Sequence, residues 1–470
     1  MEKLVVAKFG GSASGIDGEF VSDIVNRIKE LRKQSKVIAV FSAPLTMHDG
    51  KRKSITDLTL QIGKNVEEGT DPDISPIKRS YEKILGAVSD SLKPECQKTI
   101  DVFLQKATQA FNDAKTKGFA NEIRSRALAF SGEILMSYVM NYILKSNGVR
   151  SDVVNYDDWP IITDNNIEST NFLASESMNR LEPLEHLLQN NDVVSIGGFI
   201  GKTVDGVETT YERGGSDRTA ADLGILFHKK YDTKVDFEKD SAVVSADPRI
   251  VNQELEEITQ LSYNEARLAG MFGMKILDPI AIKEILENGV DMPIIITNMK
   301  DPKKTTTITR KSDSHNGHPL KIVTGKKNCA ILKIESVAAQ QLLESLERDR
   351  RYSEFVILSP FTKDDIEFTR ILFLDADYVK RNERYILGFD SLATIQYNRG
   401  VITLIGDQMW RVQQIVSKAS SRIGEAGLNI LNMDAQEETS RVIIVVDDSD
   451  NNIETAIRAV HSERSKITFT

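Results

Sequence analysis

Cysteine is nearly absent from this chain: Cys96 and Cys329 are the only two in 470 residues. A disulfide framework and a CxxC metal or redox site are thereby excluded, and a reducing compartment is the natural expectation. The six histidines are scattered, so no His/Cys metal cluster can be read, and no Ser-His-Asp or Cys-His hydrolase elbow is recognisable. No apolar run reaches transmembrane length and no secretory h-region opens the sequence, so the expectation is a cytoplasmic protein with no membrane partner. Positive charge is short as well: 60 Lys and Arg stand against 69 Asp and Glu, a formal net charge of -9. That balance argues against a nucleic-acid partner, which would call for a basic footprint, and Lys51-Arg52-Lys53 reads as a local solvated run.

What is present is an ordinary globular composition, 40% hydrophobic and 27% charged, with length for about three domains. In the first half, apolar β-branched runs at Val37-Phe41, Ser151-Asn155, Val193-Ile196 and Pro293-Asn298 alternate with helix-like segments, the α/β pattern of a mainly parallel sheet. Between about 65 and 126 the strand signal stops. Ile77, Tyr81, Ile84, Leu85, Phe103, Ala107 and Phe111 recur there at helical spacing, which predicts a helical insertion. Polar sequence near 300–321 marks the main boundary, so the expected layout is a large domain over 1–310 and a linker over 311–328. Two α+β modules of βαββαβ type are expected to follow, 329–397 and 398–470, the second closing on a strand at Ile467-Phe469.

The chemistry-bearing segments are two glycine pairs. Leu4-Val5-Val6-Ala7 delivers Lys8 and Phe9 and then Gly10-Gly11-Ser12, a strand running into a turn whose backbone N–H groups can approach an anion while the ammonium neutralises it. Two hundred residues on, Thr209-Thr210-Tyr211-Glu212-Arg213-Gly214-Gly215-Ser216-Asp217 leads into a helix, with Ser216 expected as N-cap, Arg213 able to grip a carboxylate bidentately, and the helix N-terminus attractive to anions. Each motif by itself also fits a plain structural role, a tight turn beside a solvated lysine or a capped helix. Together they imply one cleft lined by both signs of charge, with Asp217 orienting Lys8 and helping to hold Mg²⁺.

Five ordered motifs, KFGGS at Lys8-Ser12, GGFIG at Gly197-Gly201, TTYERGGSDRTAA at Thr209-Ala221, SADPRIV at Ser245-Val251 and FGMKILDP at Phe272-Pro279, resemble aspartate kinases of the amino-acid kinase family. GDQM at Gly406-Met409 and GLNILNM at Gly427-Met433 resemble the second ACT regulatory module of those enzymes, so the likeness spans essentially the whole chain. The resemblance implies an amino-acid kinase fold followed by two ACT-like modules, the first of them divergent. It implies transfer of the ATP γ-phosphoryl group to the β-carboxylate of L-aspartate, with ATP and Mg²⁺ as cofactors, as the first step toward lysine, methionine and threonine.

The same resemblance assigns roles residue by residue. Lys8 would stabilise the transferred phosphoryl group, Asp217 would organise the site, and Gly10, Gly11, Gly214 and Gly215 would approach the phosphates. Ser42, Thr56, Glu133, Phe199, Thr210, Arg213 and Ser216 fall where the family contacts aspartate, with Arg213 on the α-carboxylate and Glu133 on the α-ammonium. Asp240, Arg249 and Lys275 fall in the nucleotide region. There Glu238-Lys239-Asp240-Ser241-Ala242 replaces the family's usual TDVDG, and Lys239 is expected to reach the β- or γ-phosphate. The loop from Ala43 to Ile55 is longer than the family's. An amino-acid effector at the ACT-like modules and a homodimer or higher homo-oligomer built through them go with the resemblance. Two alternatives stay open: a kinase for glutamate or N-acetylglutamate, and a ligand-sensing protein with a degenerate kinase domain.

Overall fold

The computed structural model describes every residue except Arg213, 312–317, 349–353, 437–438 and 468–470, with backbone only at Glu347 and Arg348. The chain divides into two compact units, Met1–Ala242 with Ile280–Arg310, and Val243–Pro279 with Lys311–Thr470.

The first unit is built on seven strands: β1 (Lys3–Phe9), β2 (Lys36–Phe41), β3 (Ser151–Val153), β4 (Val193–Gly197), β5 (Asp232–Lys239), β6 (Ile294–Asn298) and β7 (Thr305–Thr309), in spatial order β7-β6-β5-β1-β2-β4-β3. All pairings are parallel except β6 with β7. Leu4, Val6 and Ala7 of β1 are fully buried, and Val37 to Val40 of β2 equally so, because helices cover both faces of a parallel sheet and leave no polar side to alternate with. Parallel strands finish at the same edge. Lys8, Ser42, Gly197 and Lys239 therefore reach one rim, where open α/β sheets bind ligands.

The helical region between β2 and β3 contains α1 (Ile55–Glu67), α2 (Ser75–Ile84), α3 (Lys93–Lys117), α4 (Asn121–Ser131) and α5 (Glu133–Ser146). Gly63 of α1 lies flat against the Phe119 ring, where a Cβ would stand 2.1 Å from the ring carbon. The stretch Asn121–Ser146 is long and apolar enough to cross a bilayer, yet 89% of its most apolar window is buried in the fold. The long loop after Ser42 is a β-hairpin, Leu45–His48 paired with Lys51–Ser54, and Ser54 caps α1 by accepting the Asp57 N–H at 3.0 Å.

The second unit carries a six-stranded antiparallel sheet of β8 (Ile322–Glu335), β9 (Phe355–Lys363), β10 (Ile366–Phe373), β11 (Thr394–Ile405), β12 (Asn432–Ala435) and β13 (Arg441–Asp447), ordered β9-β10-β8-β11-β13-β12. The expected boundaries are corrected here. The last part of the expected linker, from Ile322, is strand: Leu320 and Val323 belong to one core with Ile402, Ile444 and Ile457, while Ala330, Leu332 and Ile334 belong to another. The two modules thus share β8 and β11, and the first is inserted in the second instead of preceding it. The segment 243–279 also leaves the expected 1–310 domain, because Ala246 and Val251 lie in the same core as Ile402 and Ser245 bonds His461 at 2.9 Å. Of the expected final strand, Ile467 has no strand conformation and 468–470 lie outside the described residues.

Candidate active site

The rim of the parallel sheet is shaped by glycines that let backbones touch. At Gly11 a Cβ would lie 2.8 Å from the Ala43 carbonyl oxygen, which ties the turn after β1 to the segment after β2. Gly197 and Gly198 do the same for β4: their Cβ atoms would stand 2.7 Å from the Glu133 carbonyl oxygen and 2.6 Å from Ser216 Cβ. Any side chain there would push Glu133 and Ser216 apart. Gly214 has φ 98 and ends the turn that starts α6 (Gly215–Phe227). The expected N-cap is corrected accordingly: Gly214 holds that position, and Ser216 and Asp217 sit inside the first turn, both buried. Asp217 already spends its N–H on the Gly214 carbonyl at 2.9 Å, so its side chain is left to face the rim.

Lys8 and Asp217 meet there. Lys8 Nζ stands 2.8 Å from Asp217 Oδ1, and Lys239 Nζ 3.6 Å from Oδ2. A Cβ on Gly10 would lie 3.4 Å from Lys8 Nζ, so the glycine turn opens directly beside the ammonium. Burial lowers the Lys239 pKa from its ordinary value, with Asp217 opposing and Lys8 reinforcing the change.

The second half of the site gathers around Glu133, at the N-terminus of α5. It is 4% exposed and accepts a hydrogen bond from Thr56 Oγ1 at 3.4 Å. Burial raises its pKa to about 7, against the opposing backbone hydrogen bonds and the positive charge of Lys8. The break between α4 and α5 is fixed from below by Tyr81, whose hydroxyl lies 3.0 and 2.9 Å from the carbonyl oxygens of Ser131 and Gly132. Phe199 adopts φ 68, unusual for a bulky residue, and is held by an N–H bond to Thr219 Oγ1 at 3.0 Å and by the Tyr211 N–H bond to its carbonyl at 3.0 Å. Thr210 is buried at the end of a short strand paired with Ile200, and Ser42 is half-buried where its N–H bonds the Phe9 carbonyl.

Of the expected residues, Lys8, Gly10, Gly11, Ser42, Thr56, Glu133, Phe199, Thr210, Gly214, Gly215, Ser216, Asp217, Lys239 and Asp240 all belong to the first unit, Asp240 being exposed just past β5. Arg213 lies outside the described residues. Arg249 and Lys275 fall in the second unit, both exposed, and Arg249 is paired with Asp247.

The sequence reading missed the buried network under α6. Arg218 stacks on Tyr211, its guanidinium carbon 4.2 Å from the ring centroid, and holds Glu284 of the helix Pro279–Glu287. The Tyr211 hydroxyl donates to Asp222 Oδ2 at 2.5 Å. Burial and the neighbouring Glu284 push the Asp222 pKa well above the usual carboxylate range, and burial raises that of Glu284 against the pull of Arg218. The signal was an acid inside the run Ala220-Ala221-Asp222-Leu223. Nothing in the run names its partners, Tyr211 eleven residues before it and Glu284 on a helix about sixty residues on.

Fold and site together define an α/β domain with a glycine-lined, lysine-bearing rim suited to a phosphorylated ligand. The sequence profile of the amino acid kinase family matches residues 3–298, and the chain belongs to that family. It is 26% identical over 345 residues to the chloroplastic bifunctional aspartokinase/homoserine dehydrogenase 1 of Arabidopsis thaliana, covering 70% of this chain and 36% of that one. It is 27% identical over 229 residues to the aspartokinase of Rickettsia felis, covering 48% of this chain and 55% of the relative. The chain therefore spans between a third and somewhat over half of these relatives' lengths. Among solved structures, E. coli aspartokinase III in complex with aspartate and ADP superposes with TM-score 0.78 at 18% identity, over 98% of this chain and 99% of the other, a likeness of fold.

Proposed function

We propose that the chain is an aspartate kinase, transferring the γ-phosphoryl group of ATP to the β-carboxylate of L-aspartate to give 4-phospho-L-aspartate. The observation that carries this reading is Lys8, held by Asp217 beside a glycine turn, at the same sheet rim where Gly197 packs on the backbone of the buried acid Glu133. The names of the similar proteins support the same substrate.

The reaction needs no general base, since the β-carboxylate is ionised near neutral pH. One of its oxygens forms the new P–O bond as the bond from the γ-phosphorus to the bridging oxygen breaks, and ADP leaves with the electron pair. Lys8 neutralises charge on the transferred group, and Gly10, Gly11, Gly214 and Gly215 are assigned to the phosphates, Gly10 having only Lys8 Nζ and Ser12 Oγ within 4 Å of where a Cβ would stand. Glu133 takes the α-ammonium with Thr56 beside it, and Arg213, Ser42, Phe199, Thr210 and Ser216 complete the substrate pocket. A buried acid at Glu133 disfavours N-acetylglutamate, whose neutral nitrogen would leave it unpaired.

Asp217 is engaged by two lysines, and among the described residues no group of three His, Cys, Asp or Glu could cage a metal ion. Magnesium would enter as a companion of the nucleotide phosphates, needing only one or two protein carboxylates, and Asp217 is the residue that would help to hold it. Asp240, Arg249 and Lys275 are assigned to the nucleotide, the ACT-like modules to an amino-acid effector and to homo-oligomer assembly, and the enzyme to the cytoplasm.

Trapping the acyl phosphate with hydroxylamine tests the reading, with Mg-ATP and L-aspartate, L-glutamate or N-acetyl-L-glutamate. Turnover of aspartate alone is expected. Turnover of another acid instead, or none by a folded protein, would refute it.

A further inference from the structure

We infer that the helical region between β2 and β3 aims Glu133 at the substrate, through two positioning residues, Tyr81 of α2 and Thr59 of α1. This role rests on the reading of Glu133 as the acid for the substrate ammonium and gives the inserted helices a part in aspartate binding.

Between Ser131, the last residue of α4, and Glu133, the first of α5, stands only Gly132, at φ -117 and ψ -106. A helix end leaves its last carbonyls without helical partners, and no side chain caps the start of α5. Tyr81 supplies what is missing, its hydroxyl reaching the Ser131 and Gly132 carbonyls at 3.0 and 2.9 Å. Thr59 holds Ser131 as well. The Thr59 hydroxyl donates to the Ile55 carbonyl at 2.9 Å, so its oxygen accepts from Ser131 Oγ at 2.7 Å. Tyr81, Thr59 and Ser131 are all fully buried.

Both helices also touch the site. Thr56, three residues before Thr59 on α1, bonds the Glu133 carboxylate at 3.4 Å, so α1 grips the acid and the backbone ahead of it together. α2 is tied to the segment after the glycine turn: Lys83 Nζ lies 2.7 Å from Asp17 Oδ2, and a Cβ on Gly18 would lie 2.8 Å from Ile84. One helix thus braces the backbone that follows Gly10-Gly11 and the backbone that precedes Glu133. Packing alone asks only for the ring of Tyr81. Its hydroxyl answers the two carbonyls that end α4, the negative end of that helix, which uncovered would oppose ionisation of Glu133 one and two residues on. Against the burial that raises the Glu133 pKa, Lys8 of β1 favours the ionised acid, while burial keeps the Tyr81 phenol neutral, its pKa well above the ordinary value.

The test compares the full-length wild type with Tyr81→Phe and with Tyr142→Phe, which loses a hydroxyl bonded to Thr99 farther along α5. Initial rates with hydroxylamine trapping give kcat and both KM values from pH 6 to 8, and urea unfolding gives stability. Tyr81→Phe should raise the aspartate KM by about 5- to 20-fold at pH 8 and move the midpoint of its pH dependence upward by about half a unit. Its kcat and ATP KM should stay within about threefold, and Tyr142→Phe should match the wild type in all kinetic parameters. If Tyr81→Phe does not fold, Thr59→Val repeats the test: valine should raise the aspartate KM, and Thr59→Ser, which keeps the hydroxyl, should restore it. A variant that is less stable but keeps the wild-type aspartate KM and midpoint, or that loses equally in kcat and both KM values, would overturn the positioning role and leave the kinase reading standing. A folded wild type that turns over no aspartate would overturn both.

Discussion

Replacing Glu133 with glutamine should stabilise the protein and at the same time cripple its grip on aspartate. Burial raises the Glu133 pKa from an ordinary 4.5 to about 7, so the folded state binds this proton more tightly than the unfolded chain. Stability linked to it is fully present below pH 4.5 and is lost as pH rises toward 7. At ~1.4 kcal/mol per pH unit the gap amounts to about 3 kcal/mol at pH 8 and about 1.5 kcal/mol at pH 5.5. Glutamine mimics the protonated form and should recover those amounts, read from urea unfolding at the two pH values.

Binding should move the other way. The substrate ammonium needs the ionised carboxylate, so the apparent KM of the wild type for aspartate should fall about tenfold from pH 6 to pH 8, as 1 + 10^(pKa − pH) requires. Lacking the charge, Glu133→Gln should raise KM by about 10- to 100-fold and flatten its pH dependence. The kcat profile should show no limb near 7, since bound ammonium keeps the carboxylate ionised. Initial rates with hydroxylamine trapping at pH 6, 7 and 8 decide it. A pH-independent wild-type KM, or a glutamine variant less stable at pH 8, would refute the argument.

Lys8→Met should lower kcat by about 100- to 1,000-fold, the usual cost of removing one transition-state charge contact, with the KM for aspartate changed by less; a variant of near-normal kcat would remove Lys8 from the chemistry. Asp222→Asn mimics the protonated acid, so its stability relative to wild type should grow with pH above the ordinary carboxylate value of 3.8, reducing the pH slope of unfolding by at most ~1.4 kcal/mol per unit. An unaltered slope in denaturant titrations would mean that Asp222 is ionised in the folded state. Gly63→Ala should destabilise by about 1–3 kcal/mol despite the better helix former, because the methyl would press on the Phe119 ring. A raised melting temperature would show that the ring yields freely.

The sequence by itself determined the local elements and the chemistry available to them. Runs such as Leu4–Ala7 are apolar at every position because both faces of a parallel strand are covered, and the helical spacing of Ile77, Tyr81 and Ile84 follows from one buried face. The glycine pairs at 10–11 and 214–215 were readable as turns, and Gly11, Gly214 and Gly215 stand where a side chain would collide or where φ is positive. Tertiary structure decided which residues meet. Thr56 and Glu133 are 77 positions apart, and Arg218 and Glu284 are 66 apart, joined only by strand order and crossover connections. Lys239 came to Asp217 through the register of β1 with β5, and 243–279 joined the second unit because Ala246 and Val251 found their apolar neighbours there. A pattern of residue types encodes burial and backbone torsion locally, whereas the pairing of buried charges and the raised pKa of Glu133 depend on distances that exist only once the chain has folded.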